Sequence, residues 1–202
     1  MLTRSVDKLF EPFKLGKLTL SNRIVMAPMT RKFSPNGIPG PEVAEYYKKR
    51  AENGVGLIIT EGTVINHLTS SNDYNIPKFY GYAALKGWEK VVNEVHKVGG
   101  KIIPQIWHVG LDRNTTTSPN PHIPPASPSG IDFSGKKVGE PLSLDEIDEI
   151  IDGFVEAAVN AKRLGFDGIE LHGAHGYLID QFFWERTNQR NDKYGGSLVK
   201  RT

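Results

Sequence analysis

Short apolar segments alternate with amphipathic helical segments along most of the 202-residue chain, and this alternation limits the possible folds more than any other feature. The apolar segments have the length of buried strands. Strands that alternate with helices form a parallel sheet with right-handed crossovers. The predicted strands are RIVMAPM (23–29), GLIIT (56–60), KIIPQIW (101–107) and DGIELH (167–172).

The segments between these strands carry the start and stop signals of helices. Pro41 suits the first turn of one helix, and Gly54 suits its end. In the last helix Ser143 and Glu146 form a capping box, and Gly165 ends it. Apolar residues recur at helical spacing in the middle helix, at Leu85, Trp88, Val91, Val92 and Val95. The predicted buried face of the last helix is Ile147, Ile150, Ile151, Phe154, Ala158, Ala161 and Leu164.

Such a sheet is either doubly wound and open or closed into a β/α barrel. The segment FKLGKLTLSN predicts a hairpin that could close a barrel floor, and no G-x-G-x-x-G motif follows the first strand. Polar residues come just after the predicted strands, where the active groups of a barrel lie, although an open sheet gathers ligands there too. These residues are Thr30, Glu61, Gln105, His108, His172 and His175.

We therefore predict an α/β fold, a (β/α)8 TIM-type barrel of which about the first four β/α units are present. A full barrel needs eight strands and typically about 250 residues. We expect residues 1–202 to be the amino-terminal part of a single, truncated barrel domain. Four strands do not close a barrel, so this fragment alone is expected to be inactive.

The segment IELHGAHGYLIDQF (169–182) places two histidines at the end of an apolar strand. Strand alternation puts Glu170 and His172 on one face, and the nearby glycines let His175 turn toward the same space. Two converging imidazoles can bind a metal, act as acid and base, or donate hydrogen bonds to a developing oxyanion. They can also be satisfied by loop carbonyls. Glu61 or His108 could supply a third metal ligand, and Tyr177 is either a packing aromatic or a proton donor.

The segment GIDFSGKK (130–137) nearly matches a phosphate-binding loop, but its context excludes that function. Lys137 stands where Ser or Thr should hold Mg²⁺, and neither a strand precedes the segment nor a helix follows it. The segment belongs to a long loop, 108–142, rich in Pro, Ser and Thr. A loop of this length is usually functional or mobile, and here it could form a rim over the site.

Composition excludes several classes of protein. Lys and Arg number 25 against 23 acidic residues, so nothing favours a nucleic-acid or membrane-surface partner. The chain has no cysteine, which excludes disulfides and cysteine-based metal or nucleophile chemistry within it. No segment has the apolar length of a membrane helix, and the N-terminus has no secretory pattern. We expect a cytoplasmic protein, and the sequence leaves open a homo-oligomer.

Several motifs in order resemble the old yellow enzyme family, the FMN-dependent ene-reductases with a β/α barrel. They cover nearly the whole chain and are LFEPFKLGKLTLSNRIVMAPMTR, LIITEGT, PQIWHVG, DGIELHGAHGYLIDQF and NDKYGGSL. The resemblance implies an FMN-dependent oxidoreductase. Such an enzyme transfers hydride from NADH or NADPH, through the flavin, to activated C=C bonds of α,β-unsaturated carbonyl compounds. The partner would be a small enone-type substrate.

The resemblance also implies roles for individual residues. The pair His172 and His175 would hold the substrate oxygen beside the pocket-wall aromatic Trp107, and Tyr177 would be the proton donor. The implied flavin contacts are Ala27, Pro28, Met29, Thr30, Gly62, Gln105 and His172, and no metal is implied. Hydride transfer to the β-carbon builds negative charge on the carbonyl oxygen, which preplaced donors stabilise.

The chain departs from the family pattern in two places. Leu111 stands where the family commonly has Arg after HVG, and Val199, Lys200 and Arg201 replace a common Glu-Asn-Arg. Two alternatives from other classes stay open at this point: a metal-dependent barrel hydrolase using His172 and His175, and a non-catalytic half-barrel.

Overall fold

The structure is a computed structural model that describes residues 6–114 and 116–202. It begins with a 3-10 helix at Asp7–Phe10 and the antiparallel hairpin of β1 (Phe13–Leu15) and β2 (Leu18–Leu20). Gly16 makes the turn with a φ of 58°, a conformation that favours glycine. The hairpin prediction is confirmed.

A four-stranded parallel sheet follows, with strands in the order β3 (Val25–Met26), β4 (Leu57–Val64), β5 (Ile102–Trp107) and β6 (Glu170–Leu171). All four predicted strands are present, but their lengths differ from the predictions. The central strand β4 is longer than predicted, whereas the outer strands β3 and β6 keep only two residues each. Outer strands pair on one side only, so a pattern of apolar residues there overestimates the hydrogen-bonded length.

Helices connect the strands as the alternation predicts. They are α1 (Pro41–Glu52), α2 (Tyr82–Lys97) and α3 (Leu144–Leu164), with a 3-10 helix at Pro35–Gly37. The capping box forms, because Ser143 Oγ accepts from Glu146 N at 3.2 Å and Glu146 Oε2 accepts from Ser143 N at 2.7 Å. Two short helices were not predicted, α4 (Leu178–Phe183) and α5 (Leu198–Arg201), since so few residues show no helical period.

Pro104 lies inside the central strand β5, where its missing N–H would normally interrupt the ladder. The pairing of β4 with β5 shifts register between Ile59 and Gly62, opposite this proline. The side-chain hydroxyl of Thr60 accepts from Gln105 N at 3.2 Å and replaces a ladder bond. The irregularity therefore accommodates Pro104 and holds Gln105 in place.

The core lies between the sheet and its helices and is built around Tyr47, Ile58, Phe79, Trp88 and Ile106, all fully buried. The predicted buried face of α3 was partly wrong. Residues buried along α3 include Gly153 and Ala157, whereas Ile151 is 42% exposed.

Ile151 borders an apolar groove of about 540 Å³ between α3, α4 and the outer strand β6, whose side chain Leu171 is half-exposed. Tyr194, Lys200 and Arg201 also line this groove. Within 6–114 and 116–202, no helix is long and apolar enough to cross a membrane.

Candidate active site

A cavity of about 400 Å³ opens at the carboxyl ends of β3, β5 and β6. Seven of the ten predicted site residues line it: Pro28, Thr30, Gln105, Trp107, His172, His175 and Tyr177. The structure therefore brings together residues that are up to 149 positions apart, from Pro28 to Tyr177. Four lining residues come from loops and were not predicted: Lys32, Asn72, Ile76 and Asp112.

Four aromatic rings form one wall of this cavity. The His172 ring stacks on Trp107, with centroids 5.7 Å apart and planes 23° apart. The Tyr177 ring meets both of these rings edge-on, at 4.7 Å from Trp107 and 4.8 Å from His172. His175 lies edge-on to His172 at 5.4 Å. The predicted convergence of the two imidazoles and the phenol is thus present.

The backbone after β6 aims these rings. His172 N donates to Ile106 O at 2.9 Å, which keeps His172 in line with β5. His175 has a φ of 60°, an uncommon left-handed conformation for a residue other than glycine. Gly176 follows with a φ of 76°, and its N–H donates to Asp180 Oδ2 at 2.8 Å. This turn places His175 beside His172 although the two are three residues apart.

Gln181 fixes the loop after β5 to the loop after β6. Its side chain is fully buried on α4, its Nε2 donates to Gly176 O at 2.6 Å, and its Oε1 accepts from Leu111 N at 3.3 Å. One amide therefore sets the distance between the two loops that carry the cavity residues. Sequence reasoning missed Gln181, because a lone amide between Asp180 and Phe182 carries no recognisable pattern.

The environment keeps two of the catalytic candidates, His172 and Tyr177, uncharged. Burial, followed by the nearby His175, lowers the pKa of His172 below 6.5, so its ring is neutral near pH 7. Burial, followed by the charge of Asp112, raises the pKa of Tyr177 above 10, so its phenol stays protonated. A neutral imidazole and a protonated phenol each have a hydrogen to donate. Among the described residues, neither the His172 ring nor the His175 ring bonds to another residue.

Polar groups around the cavity are only partly satisfied. Gln105 is 6% exposed, and its Nε2 donates to Glu170 Oε1 at 2.8 Å. The buried Trp107 Nε1 has no hydrogen-bond partner among the described residues. The Thr30 hydroxyl faces the same space from the segment after β3. The cavity thus offers the amide of Gln105 and the hydroxyl of Thr30 to a polar ligand edge.

Three predicted flavin contacts do not line the cavity. Ala27 is exposed and Met29 is 65% exposed beside it. Gly62 lies behind the wall, where a Cβ would come within 2.5 Å of the Trp107 ring and 3.2 Å of Thr30 Oγ1. The close packing of Trp107 and Thr30 therefore requires glycine at this position.

Glu61 does not line the cavity, although it follows the strand pattern. Its buried carboxylate binds Arg31, with Oε1 at 2.5 Å from Nη2 and Oε2 accepting from Arg31 N at 3.2 Å. The Tyr47 hydroxyl donates to Glu61 Oε1 at 3.3 Å and accepts from Glu61 N at 2.8 Å. Glu61 thus anchors the segment after β3 to α1 and β4.

His108 also lies away from the cavity, in a buried cluster with His67 and Thr69. Its Nε2 is 3.1 Å from His67 Nδ1, and its Nδ1 accepts from Gly110 N at 3.0 Å. Thr69 Oγ1 lies 3.0 Å from His67 Nδ1. Burial, followed by the charge of His67, holds the pKa of His108 well below 6.5.

Neither proposed third metal ligand is available to the pair at 172 and 175, since Glu61 and His108 are engaged elsewhere. Within the described parts of the chain, no group of three His, Cys, Asp or Glu side chains is arranged to hold a metal ion. A larger cavity of about 830 Å³ borders the loop after β4 and the acidic face of α3, and none of the ten predicted site residues lines it.

Comparison with known proteins identifies the class to which this fold and cavity belong. Residues 8–202 match the NADH:flavin oxidoreductase / NADH oxidase family. The chain therefore belongs to this family, and the resemblance seen in the sequence motifs is confirmed.

Individual relatives agree with this assignment. The chain is 44% identical over 198 residues to putative 12-oxophytodienoate reductase 2 of Oryza sativa subsp. japonica, covering 96% of this chain and 52% of the relative. It is 39% identical over 203 residues to 12-oxophytodienoate reductase 2 of Arabidopsis thaliana, covering 96% and 54%. The chain spans about half the length of the curated relatives it matches.

Solved structures share the fold. Morphinone reductase in complex with tetrahydroNAD superposes with a TM-score of 0.87 at 37% identity, covering 96% of this chain and 56% of that one. The old yellow enzyme homologue from Zymomonas mobilis gives a TM-score of 0.85 at 37% identity, with the same coverage. The predicted fold class, the first units of a β/α barrel, is confirmed.

Proposed function

We propose that this cavity is the substrate side of an FMN-dependent ene-reductase site, in which hydride from NADH or NADPH reaches activated C=C bonds of α,β-unsaturated carbonyl compounds. The observation that carries the proposal is the convergence of His172, His175 and Tyr177 on one wall of one cavity. Membership of the NADH:flavin oxidoreductase / NADH oxidase family supports it.

The residues present fit an FMN ring. The cavity is within the size range of ligand sites, and its polar groups are few and convergent. Gln105 and Thr30 would hold the polar edge of the ring, and Pro28 and His172 would also contact it. Gly62 would act through the packing of Trp107 and Thr30, and Ala27 and Met29 would line the entrance. When bound, FMN supplies hydride chemistry that amino-acid side chains lack.

The two histidines would hold the carbonyl oxygen of the substrate beside Trp107. Because neither ring hydrogen-bonds to another described residue, each can turn an N–H toward this oxygen, and such a donor stabilises the negative charge that develops there. Tyr177 would supply the proton to the carbon next to the carbonyl. Its raised pKa keeps that proton in place across the neutral range.

The relatives' names support both the reaction class and the electron donor. They are reductases of 12-oxophytodienoate and of morphinone, and the morphinone reductase structure contains tetrahydroNAD. We further propose that residues 1–202 contribute the amino-terminal part of a single FMN-binding barrel. Three expectations stay predictions: the cytoplasmic location, the formation of a homo-oligomer, which the sequence leaves open, and the inactivity of the 202-residue chain alone.

The proposal is tested by adding FMN to the intact protein and following flavin fluorescence, then NADH and NADPH oxidation with cyclohex-2-enone under anaerobic conditions. We expect FMN binding and enone-dependent oxidation of at least one nicotinamide. Saturated cyclohexanone is the matched control and should not stimulate oxidation. Binding of FMN without any enone reduction would contradict the proposed reaction.

A further inference from the structure

One charged side chain that lines the cavity has no charged partner among the described residues. Of the cavity's lining residues, Lys32 and Asp112 are formally charged at neutral pH. Lys32 Nζ lies 3.1 Å from Asp73 Oδ2, so its charge is balanced by a partner. Asp112 Oδ2 instead accepts from the neutral amide of Asn72 at 2.7 Å. Within 6–114 and 116–202, no cation forms an ion pair with Asp112.

The position of Asp112 relative to Tyr177 is fixed by the protein. Asp112 N donates to Val109 O at 3.2 Å, and the preceding residue Leu111 is bonded to the buried Gln181. Gln181 also holds Gly176, next to Tyr177. Asp112 is therefore connected to the loop after β4 through its side chain and to α4 through its neighbour.

An unbalanced carboxylate at a cavity mouth acts on charged ligands at a distance. Asp112 is exposed, so solvent and salt weaken its field without removing it. Its charge is felt inside the cavity, because it contributes, after burial, to the raised pKa of the Tyr177 phenol. The His172 ring, which burial keeps neutral near pH 7, does not offset it.

We propose that Asp112 determines substrate specificity by charge, so that the site disfavours enones bearing a carboxylate and favours neutral or cationic ones. This inference rests on the proposed ene-reductase function of the same cavity. The uncompensated carboxylate repels an anionic substituent that approaches Tyr177 and attracts a cationic one.

The test compares three cyclohex-2-enones in the intact, FMN-loaded protein: the unsubstituted ring, and rings with a carboxymethyl or a trimethylammoniomethyl group at the same carbon. Asp112→Asn keeps the size and the bond from Asn72 but removes the charge. We expect kcat/KM to rise about fivefold for the anionic enone, to fall for the cationic one, and to change little for the neutral one. Fivefold corresponds to about 1 kcal/mol, since tenfold corresponds to 1.36 kcal/mol.

Two further variants and one change of salt concentration distinguish an effect of the Asp112 charge from an effect of altered structure. Asp112→Glu should keep the wild-type preference, and Asp132→Asn makes the same charge change on a loop residue that does not line the cavity. The effect of Asp112→Asn should shrink in 0.5 M NaCl. Equal changes for all three enones, or an unchanged ratio, would overturn the inference.

A binding measurement keeps this inference separate from the proposed reaction. The three saturated cyclohexanones with the same substituents are titrated against protein without nicotinamide, using the fluorescence of Trp107 and the other tryptophans. Wild-type protein should bind the anionic ketone least, and Asp112→Asn should reduce this difference. No charge preference in wild-type binding overturns the role of Asp112, whereas absent turnover with the preference intact overturns only the reaction.

Discussion

Two pairs of histidines in this chain are held in opposite ways. His67 and His108 are hydrogen-bonded to each other, to Thr69 and to Gly110, and His108 is 1% exposed. His172 and His175 contact each other only edge-on, and among the described residues their rings bond to no other residue. Both pairs follow parallel strands. The sequence made His108 a candidate for the same metal chemistry as His172 and His175, whereas it did not single out His67.

The difference shows that the partners of the ring nitrogens, rather than the presence of a pair, decide what histidines can do. Gly110 N donates to His108 Nδ1, so the neutral His108 ring carries its hydrogen on Nε2 and donates it to His67. That arrangement uses both ring nitrogens of His108 to stabilise two loops and leaves His108 no donor for a ligand. The pair at 172 and 175 keeps its donors, at the cost of an uncommon backbone conformation at His175.

The largest expected effect is on catalysis, when the rings of His172 and His175 are removed. In the intact, FMN-loaded protein, His172→Ala combined with His175→Ala should lower kcat/KM for cyclohex-2-enone by at least about 10²-fold, since one lost oxyanion donor lowers kcat by about 10²–10³-fold. Steady-state assays measure this loss, and urea unfolding should show a folded protein with at most a modest loss of stability, because His175 is exposed and His172 is only partly buried. Unchanged turnover in the double variant would contradict the assignment.

A smaller effect is expected for His67 and His108, on the free energy of unfolding rather than on turnover. Burial lowers the pKa of both His67 and His108 below 6.5, so the unfolded chain binds more protons in acid. The free energy of unfolding should therefore fall as the pH drops below about 6.5. His108→Asn keeps an acceptor for Gly110 N, should cost about 1–3 kcal/mol at pH 7.5, and should reduce the loss between pH 7.5 and 5.5.

Urea unfolding at the two pH values measures both quantities. His122→Asn, the same substitution at an exposed loop histidine, is the matched control. Enone turnover of folded His108→Asn should stay near wild type. An unaltered pH dependence of unfolding in His108→Asn would show that the buried pair does not titrate as its surroundings require.

Local signals predicted the central part of the fold well. The capping box at Ser143, the stop at Gly165 and the apolar runs of β4 and β5 each act over a few residues, and all were confirmed. The outer strands β3 and β6 were overestimated, because their pairing depends on one neighbour only. The exposed Ile151 on α3 could not be foreseen, since its burial depends on what lies beside β6.

The site was predictable where its residues follow strands and unpredictable where loops meet. Gln105, Trp107 and His172 lie at or just after strand ends, so the topology alone brings them together. Asn72 and Asp112 meet across 40 positions through a loop–loop hydrogen bond that no local pattern encodes.

The most direct test of the proposed ene-reductase site uses Tyr177→Phe in the intact, FMN-loaded protein. Stopped-flow measurement follows its two half-reactions separately. The account predicts that flavin reduction by NADH or NADPH stays near wild type, while reduction of cyclohex-2-enone slows by about 10²-fold or more, because only that step needs the phenolic proton. Equal slowing of both half-reactions would indicate a packing role, and an unchanged enone step would contradict Tyr177 as the proton donor.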